Sequence, residues 1–412
     1  MLSVMRSSSG ILCIVLQGLA CSAPEGVSPS PAKAHLWEAG AGGYAHYRIP
    51  AIACTVQGSL LAFCEARKET GGDWGAIDLM MRRSTDGGRT WAPPRVIGRV
   101  QEPIPKNPVA LAQGLAQPGQ VTYNNPAPVL DRQTGAIHFL FCVEYARVYA
   151  MHSGDDGLTF STPVDITPAA AKLRQKYPWK VIATGPGHGI QLENGRLIVP
   201  IWMSTGTGGH AHRPSKVSVL YSDDHGATWD AGDLVAGEEN PRNPSETIAL
   251  ELADGRALLN MRNESPEHRR AVSYSPNGVS GWSPPAFDDE LIEPICMASL
   301  LRLTREPRED RNRILFANPD STEPRNPANP NGVWVRRNLT VRLSYDEGLT
   351  WPVKKAVEPG LSGYSDMAVG PDGAIYVFYE NGSPRGEPTL VARLTLARFT
   401  LGWLTDGADE LP

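Results

Sequence analysis

Helical patterning is almost missing from this 412-residue chain. Apolar residues rarely recur at the three- and four-residue spacing of an amphipathic helix, and only "TPAAAKLRQKY" (167–177) reads as a short one. Helical bundles and doubly wound α/β folds are thereby excluded. Cysteine is scarce: six residues, none in a CxxC pair or at metal-ligand spacing, which excludes the common zinc modules. Cys54 and Cys64 fall on adjacent strand-like runs and could be cross-strand neighbours, but the reading preferred for them, Cys142 and Cys296 is that of buried small apolar residues. No apolar run reaches the ~20 residues that a membrane-spanning helix needs. Positive charge is not in excess either; the net charge of −5 argues against general nucleic-acid binding. "GPGHGI" (185–190) is not followed by a helical pattern and is no phosphate cradle. His210 and His212 in "GGHAHRP" have no third ligand nearby in sequence and read as a loop.

What is abundant is punctuation. The chain has 41 Gly and 36 Pro, a count that implies many turns. Between the turns lie short apolar strands such as "SLLAFCEAR", "AIHFLFCVEY", "GRLIVPIWM" and "AIYVFYENG", many opened by a Gly turn such as "ENGR" or "PDGA". An octapeptide with Ser, Asp, Gly, Thr and an aromatic at fixed offsets recurs as "STDGGRTW" (84–91), "SGDDGLTF" (153–160), "SDDHGATW" (222–229) and "SYDEGLTW" (344–351). The starts are 69, 69 and 122 residues apart, and "SYSPNGVSGW" (273–282) reads as a worn copy with Ser275 in the place of Asp. A period of this size is one supersecondary unit repeated in space, and all-β units of this kind close into a propeller. In each box Asp accepts backbone N–H groups, Gly supplies positive φ and the aromatic packs inward, so the box is a folding staple. Its Asp spacing does not match a calcium loop.

At the start, Arg6 precedes the apolar "GILCIVLQGLA", which ends at Cys21. Residues 1–21 are expected to be an export signal, and "GLAC" resembles a lipoprotein box in which Cys21 would carry the lipid. Residues 22–35, rich in Pro and Ser, read as a disordered tether. The expected location is outside the cytoplasm: periplasmic, secreted or lipid-anchored at the cell envelope.

"HYRIPAI" (46–52), "EAR" (65–67), the repeated boxes and later Arg and Tyr positions together resemble the exo-sialidase (neuraminidase) family, of bacterial type and similar also to the animal lysosomal member, over about residues 36–400. The resemblance implies a six-bladed β-propeller over 36–405. It also implies an exo-α-sialidase that releases terminal sialic acids from glycoproteins, glycolipids or oligosaccharides by a retaining mechanism through a tyrosyl-enzyme intermediate. No metal or cofactor is called for.

A sialoside carries a carboxylate on its anomeric carbon, and Arg binds such a group bidentately at any working pH. Of 39 basic residues, 30 are Arg. The resemblance assigns the carboxylate clamp to Arg48 of "YRIP", Arg262 of "NMRNES" and Arg342 of "NLTVRLSYDEG", with Glu380 bracing Arg48 and Arg67 reaching the ring substituents. It assigns the nucleophile to Tyr364 of "LSGYSDM", a neutral phenol that the substrate's carboxylate does not repel. Glu246 is the activating base, with Glu251 as a rival, and Asp73 on a Gly-rich loop is the general acid, with Asp78 as a rival. Trp74, Tyr123, Asn124 and Asn125 are candidates for the acyl and glycerol pocket. An intramolecular trans-sialidase would keep all of these residues, whereas a non-enzymatic sialoglycan-binding propeller would need only the arginines.

Overall fold

The computed structural model describes residues 30–411 except 70–71, 208, 236–239 and 384–390. The expected export signal and most of the tether lie outside these residues. Residues 32–35, expected in the tether, instead open the strand Ala32–Glu38, which pairs antiparallel with Arg393–Phe399. Leu36 and Trp37 of that strand are buried, and this apolar anchorage outweighs the neighbouring Pro and Ser.

The chain forms antiparallel sheets in sequence order. The first holds His46–Cys54, Leu60–Arg67, Ile77–Ser84 and Arg95–Ile97; the second holds Tyr123–Leu130, Ile137–Val143, Arg147–Ser153 and Val164–Asp165. The third is built on Val181–Thr184, Leu197–Ser204 and Ser215–Ser222, and the fourth on Thr247–Glu251, Ala257–Met261, Arg269–Ser275 and Ala286–Ile292. A seven-stranded sheet completes the chain, and within it the strand Val353–Val369 has two partners. Its first half pairs with Arg337–Ser344, and from Ser362 onward it pairs with Ile375–Asn381.

The leading strands touch in turn: His46–Cys54 meets Tyr123–Leu130, which meets Val181–Thr184; Ile190–Gln191 meets Thr247–Glu251, which meets Ser299–Thr304. Ser299–Thr304 meets Val353–Val369, which returns to His46–Cys54, so the ring closes as an all-β propeller. Leu60–Arg67 and Ile137–Val143 are buried at every residue, because neighbouring sheets cover both of their faces. Phe63 and Phe139 meet across two sheets with ring centroids 4.7 Å apart. Among the described residues no helix is long and apolar enough to cross a membrane.

The repeated boxes lie at one end of this ring. Ser84 donates to Asp86 (2.8 Å), Gly88 N–H donates to Ser84 (3.0 Å), and Asp86 accepts both Thr90 N–H (2.9 Å) and the Thr90 hydroxyl (2.6 Å). The same bonds recur in the boxes at Ser153, Ser222 and Ser344. The fourth residue of each box has positive φ; in the first box it is Gly87, and in the other three its side chain reaches the preceding sheet. Asp156 accepts from Ser59 (2.6 Å), His225 Nδ1 lies 2.8 Å from Asp131, and Glu347 accepts Ala253 N–H (2.6 Å). These three boxes are therefore ties between neighbouring sheets as well as turns.

Three sequence expectations need correction. The worn box is anchored on Ser275, not Ser273: Gly278 N–H donates to Ser275 (2.9 Å), and Asn277, standing in the Asp position, accepts Val279 and Ser280 N–H (both 2.9 Å). Counted from Ser275, the interval to Ser344 is 69 residues, the same as between the first boxes. Cys54 faces Leu60 and Cys64 faces Met80, so the alternative of cross-strand neighbours falls; the four cysteines are free, and the preferred buried role holds for Cys64, Cys142 and Cys296 while Cys54 is half-buried. The expected helix over 167–177 is α-helical only over Thr167–Ala171 and continues as a 3-10 turn, while Pro108–Ala112 and Leu401–Leu404 add short helices that periodicity missed.

The close approach of box to neighbour makes a prediction. A Cβ on Gly226 (φ +79) would lie 2.2 Å from His138 Cε1, whereas one on Gly255 (φ +86) would meet nothing within 4 Å. Gly226→Ala is expected to lower unfolding stability by about 3 kcal/mol, overpacking added to left-handed strain, and Gly255→Ala by only about 1 kcal/mol. Urea unfolding followed by tryptophan fluorescence distinguishes the two; equal losses would show that the box does not seat tightly on its neighbour.

Candidate active site

The leading strands run from one end of the ring to the other, with the boxes at the far end. At the near end three of them carry an irregularity. Pairing shifts register between Arg48 and Ala51, between Asn124 and Ala127, and between Ser362 and Ser365. Ile49 and Asn125 both adopt φ of 58° ahead of a proline, and such bulges re-aim the adjoining side chains. The side chains so aimed are Arg48, Asn125 and Tyr364, and all three line a pit at the axis. The pit has a lobe of about 380 Å³ and an adjoining lobe of about 190 Å³.

Glu380 braces one wall. Arg48 donates to it through Nε (2.9 Å) and Nη2 (3.2 Å), and it also accepts the backbone N–H of Ile49 (3.2 Å) and Tyr364 (3.1 Å). Burial opposes ionisation of Glu380, but Arg48 outweighs it and holds the carboxyl below its ordinary range. Opposite, the Tyr364 hydroxyl donates to Glu246 Oε1 (2.5 Å) and accepts from Arg262 Nη1 (2.7 Å), and the same Nη1 also pairs with Glu246 Oε2. Burial and the Glu246 anion push the Tyr364 phenol well above its ordinary range, against the pull of Arg262, Arg336 and Arg48. Beneath lies a fully buried pair, Arg270 and Glu293 (2.6 Å).

On the third side, Arg67 donates to Glu65 (2.6 Å) and to Asp73 (2.9 Å), and Arg48 lies 3.9 Å from Asp73. Burial opposes ionisation of Asp73, yet Arg67 and Arg48 prevail and hold its carboxyl well below the usual carboxylate range. The rivals are elsewhere. Asp78 accepts from Tyr44 (2.7 Å) and Arg99 (3.0 Å), and Glu251 sits at the far end of its strand, accepting Glu193 N–H (2.9 Å).

The geometry corrects one member of the expected clamp. Arg342 does not line the pit; it is buried, pairs with Asp320 (3.0 Å) and donates to Asn318 (3.2 Å). Its strand runs from Arg337 at the pit end to Ser344 at the box, so a residue two before a box lies at the wrong end. Arg336, one residue before that strand, lines both lobes instead. It donates to Ile295 O (2.5 Å), and its guanidinium lies 5.1 Å from the Tyr364 ring centroid, as does that of Arg48. The buried Nε of both Arg262 and Arg336 lacks an acceptor among the described residues, as in a site that awaits an anion. The signal for Arg336 was available in the box itself, which marks the end of the ring opposite the pit.

Of the pocket candidates, Asn125 lines the smaller lobe, while Trp74, Tyr123 and Asn124 are buried and line neither lobe. Trp74 packs on Tyr145 (4.5 Å) and His212 (5.6 Å), and Tyr145, Trp202 and His212 form the wall that sequence reasoning missed. His212 belongs to the pair set aside as a loop; burial pushes its imidazole down to about 4, so it is neutral at ordinary pH. Among the described residues no group of three His, Cys, Asp or Glu is placed to hold a metal ion.

Comparison with known proteins bears on the family and the fold. The BNR repeat-like domain family matches residues 58–377. A sialidase of Micromonospora viridifaciens is 32% identical over 92% of this chain and 55% of its own length. The chain spans 55–60% of the length of the first curated relatives it matches. Among solved structures, the microbial sialidase Hz136 superposes with a TM-score of 0.70 at 25% identity, covering 90% of this chain and 69% of its own. A leech intramolecular trans-sialidase superposes at 0.69 with 16% identity, a likeness of fold, covering 92% of this chain and 71% of its own.

Arg336 and Arg342 should separate in a stability measurement. Arg342→Met leaves the Asp320 carboxylate without its partner and is expected to cost about 3–5 kcal/mol, whereas Arg336→Met strands no carboxylate and loses only the bond to Ile295 O, a cost of about 1–2 kcal/mol. Denaturant midpoints check this, and the reverse order would return Arg342 to the list of candidate ligands.

Proposed function

The chain belongs to the sialidase family built on the BNR repeat-like domain, and on that premise we propose that it is an exo-α-sialidase (EC 3.2.1.18) acting on sialylated glycoproteins, glycolipids or oligosaccharides. The observation that carries the reading is the Tyr364 hydroxyl held between Glu246 (2.5 Å) and Arg262 (2.7 Å) in a pit of arginines. Binding alone needs the arginines; it has no use for a phenol placed against a carboxylate.

In this reading Arg48, Arg262 and Arg336 clamp the sugar's carboxylate, and Arg67 reaches its ring substituents. Asp73 protonates the departing oxygen as positive charge grows on the anomeric carbon. Tyr364 passes its proton to Glu246 and bonds to that carbon, giving a glycosyl-tyrosine intermediate; water activated by Asp73 then breaks the new bond, with net retention. Glu380 is a positioning residue, acting through Arg48 and the Tyr364 backbone. The frame reads as six-bladed, because the two pairings of Val353–Val369 divide the seven-stranded sheet into two units. We place the catalytic propeller at residues 36–405, preceded by an export signal over 1–21, with Cys21 as the residue for any lipid anchor.

A fluorogenic aryl sialoside tests the assignment. Tyr364→Phe is expected to lower kcat by about a hundredfold or more, and equal rates would remove the nucleophile. Asp73→Ala should impair 3′-sialyllactose, whose leaving group needs a proton, far more than the aryl sialoside, whose leaving group does not. Arg336→Ala should act chiefly on KM. Free sialic acid as product supports hydrolysis, and a 2,7-anhydro product would reassign the chain to intramolecular transfer.

A further inference from the structure

With Asp73 protonated, the pit holds more positive charge than one sialic acid neutralises. Arg48, Arg67, Arg213 and Arg262 are matched by Glu380, Glu65 with Asp73, Glu264 and Glu246. Arg336 and Arg325 have no ion-pair partner among the described residues, and both line the larger lobe. Once Asp73 carries the proton that a general acid needs, one more negative charge is gone. The sugar's own carboxylate restores one, and a guanidinium is still left over.

Arg325 is the outermost of these cations. It stands on the segment between the strands Arg313–Pro319 and Arg337–Ser344, which folds back on itself: Arg325 N–H donates to Val333 O (3.0 Å), and Pro324 bridges Trp334. Trp334 stacks on the buried His268 with centroids 3.8 Å apart and planes 10° apart, which fixes the segment against the ring. Tyr364, Glu246, Tyr145 and Trp202 line the smaller, more enclosed lobe, so the released sugar's substituents belong there. Whatever is attached to that sugar must leave through the larger lobe, past Arg325, Val333 and Trp334. Arg325 is exposed; partial desolvation and the like charge of Arg336 lower its proton affinity, and an anion beside it would relieve the second.

We propose that Arg325 forms a leaving-group subsite for a second anion, so that the favoured substrates carry an acidic group on the sugar next to the one released. The group is a carboxylate, as in an α2-8-linked disialyl unit, or a sulfate ester on the penultimate sugar. The inference rests on the sialidase reading above and narrows its substrate class.

The test compares kcat/KM for α2-8-disialyllactose, for a 3′-sialyllactosamine sulfated on its galactose, and for neutral-ended 3′-sialyllactose. Wild type is expected to favour one or both acidic substrates about fivefold or more, through KM, with the preference shrinking as ionic strength rises from about 0.02 M to about 0.3 M. Preference for the disialyl substrate alone identifies a carboxylate subsite, and preference for the sulfated one alone a sulfate subsite. Arg325→Gln should abolish the preference and Arg325→Lys should keep part of it. Arg89→Gln, which makes the same change of net charge on a box at the far end of the ring, should leave the preference intact. Cleavage of all three substrates with no preference, or a preference that survives Arg325→Gln, overturns the subsite and leaves the sialidase reading standing. Cleavage of none overturns both.

Discussion

Glu380 is the joint on which the site depends. One buried carboxylate receives the Arg48 guanidinium and the backbone N–H groups of Ile49 and Tyr364, joining positions more than three hundred residues apart in the chain. It meets two needs at once. Guanidinium groups crowded into one pit repel each other unless counter-charges stand among them, and a phenol is useful only if its backbone is held still. The fit leaves no slack: a Cβ on Gly363 would lie 2.3 Å from a Glu380 oxygen, so the residue before Tyr364 has to be glycine. The joint also lies where the first sheet meets the last, so closing the ring and assembling the site are one event.

The two ends of the ring divide the labour. At the far end the boxes close short polar side chains around a buried serine in local hydrogen-bond sets, with Asp156, His225 and Glu347 tying three of the sheets to their predecessors. At the pit end the backbone is irregular. Ile49 and Ile295, both β-branched, sit at φ of 58° and 63°, a region such residues rarely enter. That strain persists because Glu380 holds the Ile49 N–H and Arg336 holds the Ile295 carbonyl. The stapled end offsets what the strained end costs.

This division also explains what was legible in the sequence. The boxes were legible because each is a local hydrogen-bond set whose residue types can be read at fixed offsets. The worn copy was misread by two residues because Asn277 does the work of Asp through the same side-chain oxygen, and a search for Asp passes over it. Arg48, Glu246, Asp73 and Tyr364 were legible as residue types on resembling motifs, and the model gathers their side chains in one pit. Arg342 looked right for its nearness to a box, which is the feature that carries it away from the pit. The wall of Tyr145, Trp202 and His212 was not legible, since it comes from two different sheets and no local pattern joins them.

On the proposed reading, the protonation states that the pit imposes pose a problem. Asp73 is held ionised though it must donate a proton, and Tyr364 is held protonated though it must give one up. A carboxylate bound by Arg48, Arg262 and Arg336 acts on the two in opposite senses. By offsetting Arg48, which lies 3.9 Å from Asp73, it raises the proton affinity of the acid, as donation requires. By offsetting all three arginines around the phenol, it also makes a free phenolate harder to form. The second effect is harmful only if a free phenolate has to form. With Glu246 2.5 Å away, the proton can cross as the bond to the anomeric carbon forms, and positive charge growing on that carbon takes over from the arginines. On this reading the substrate arms the acid on arrival, while the nucleophile is armed only as the leaving group departs, an order that keeps a phenolate from forming ahead of the sugar.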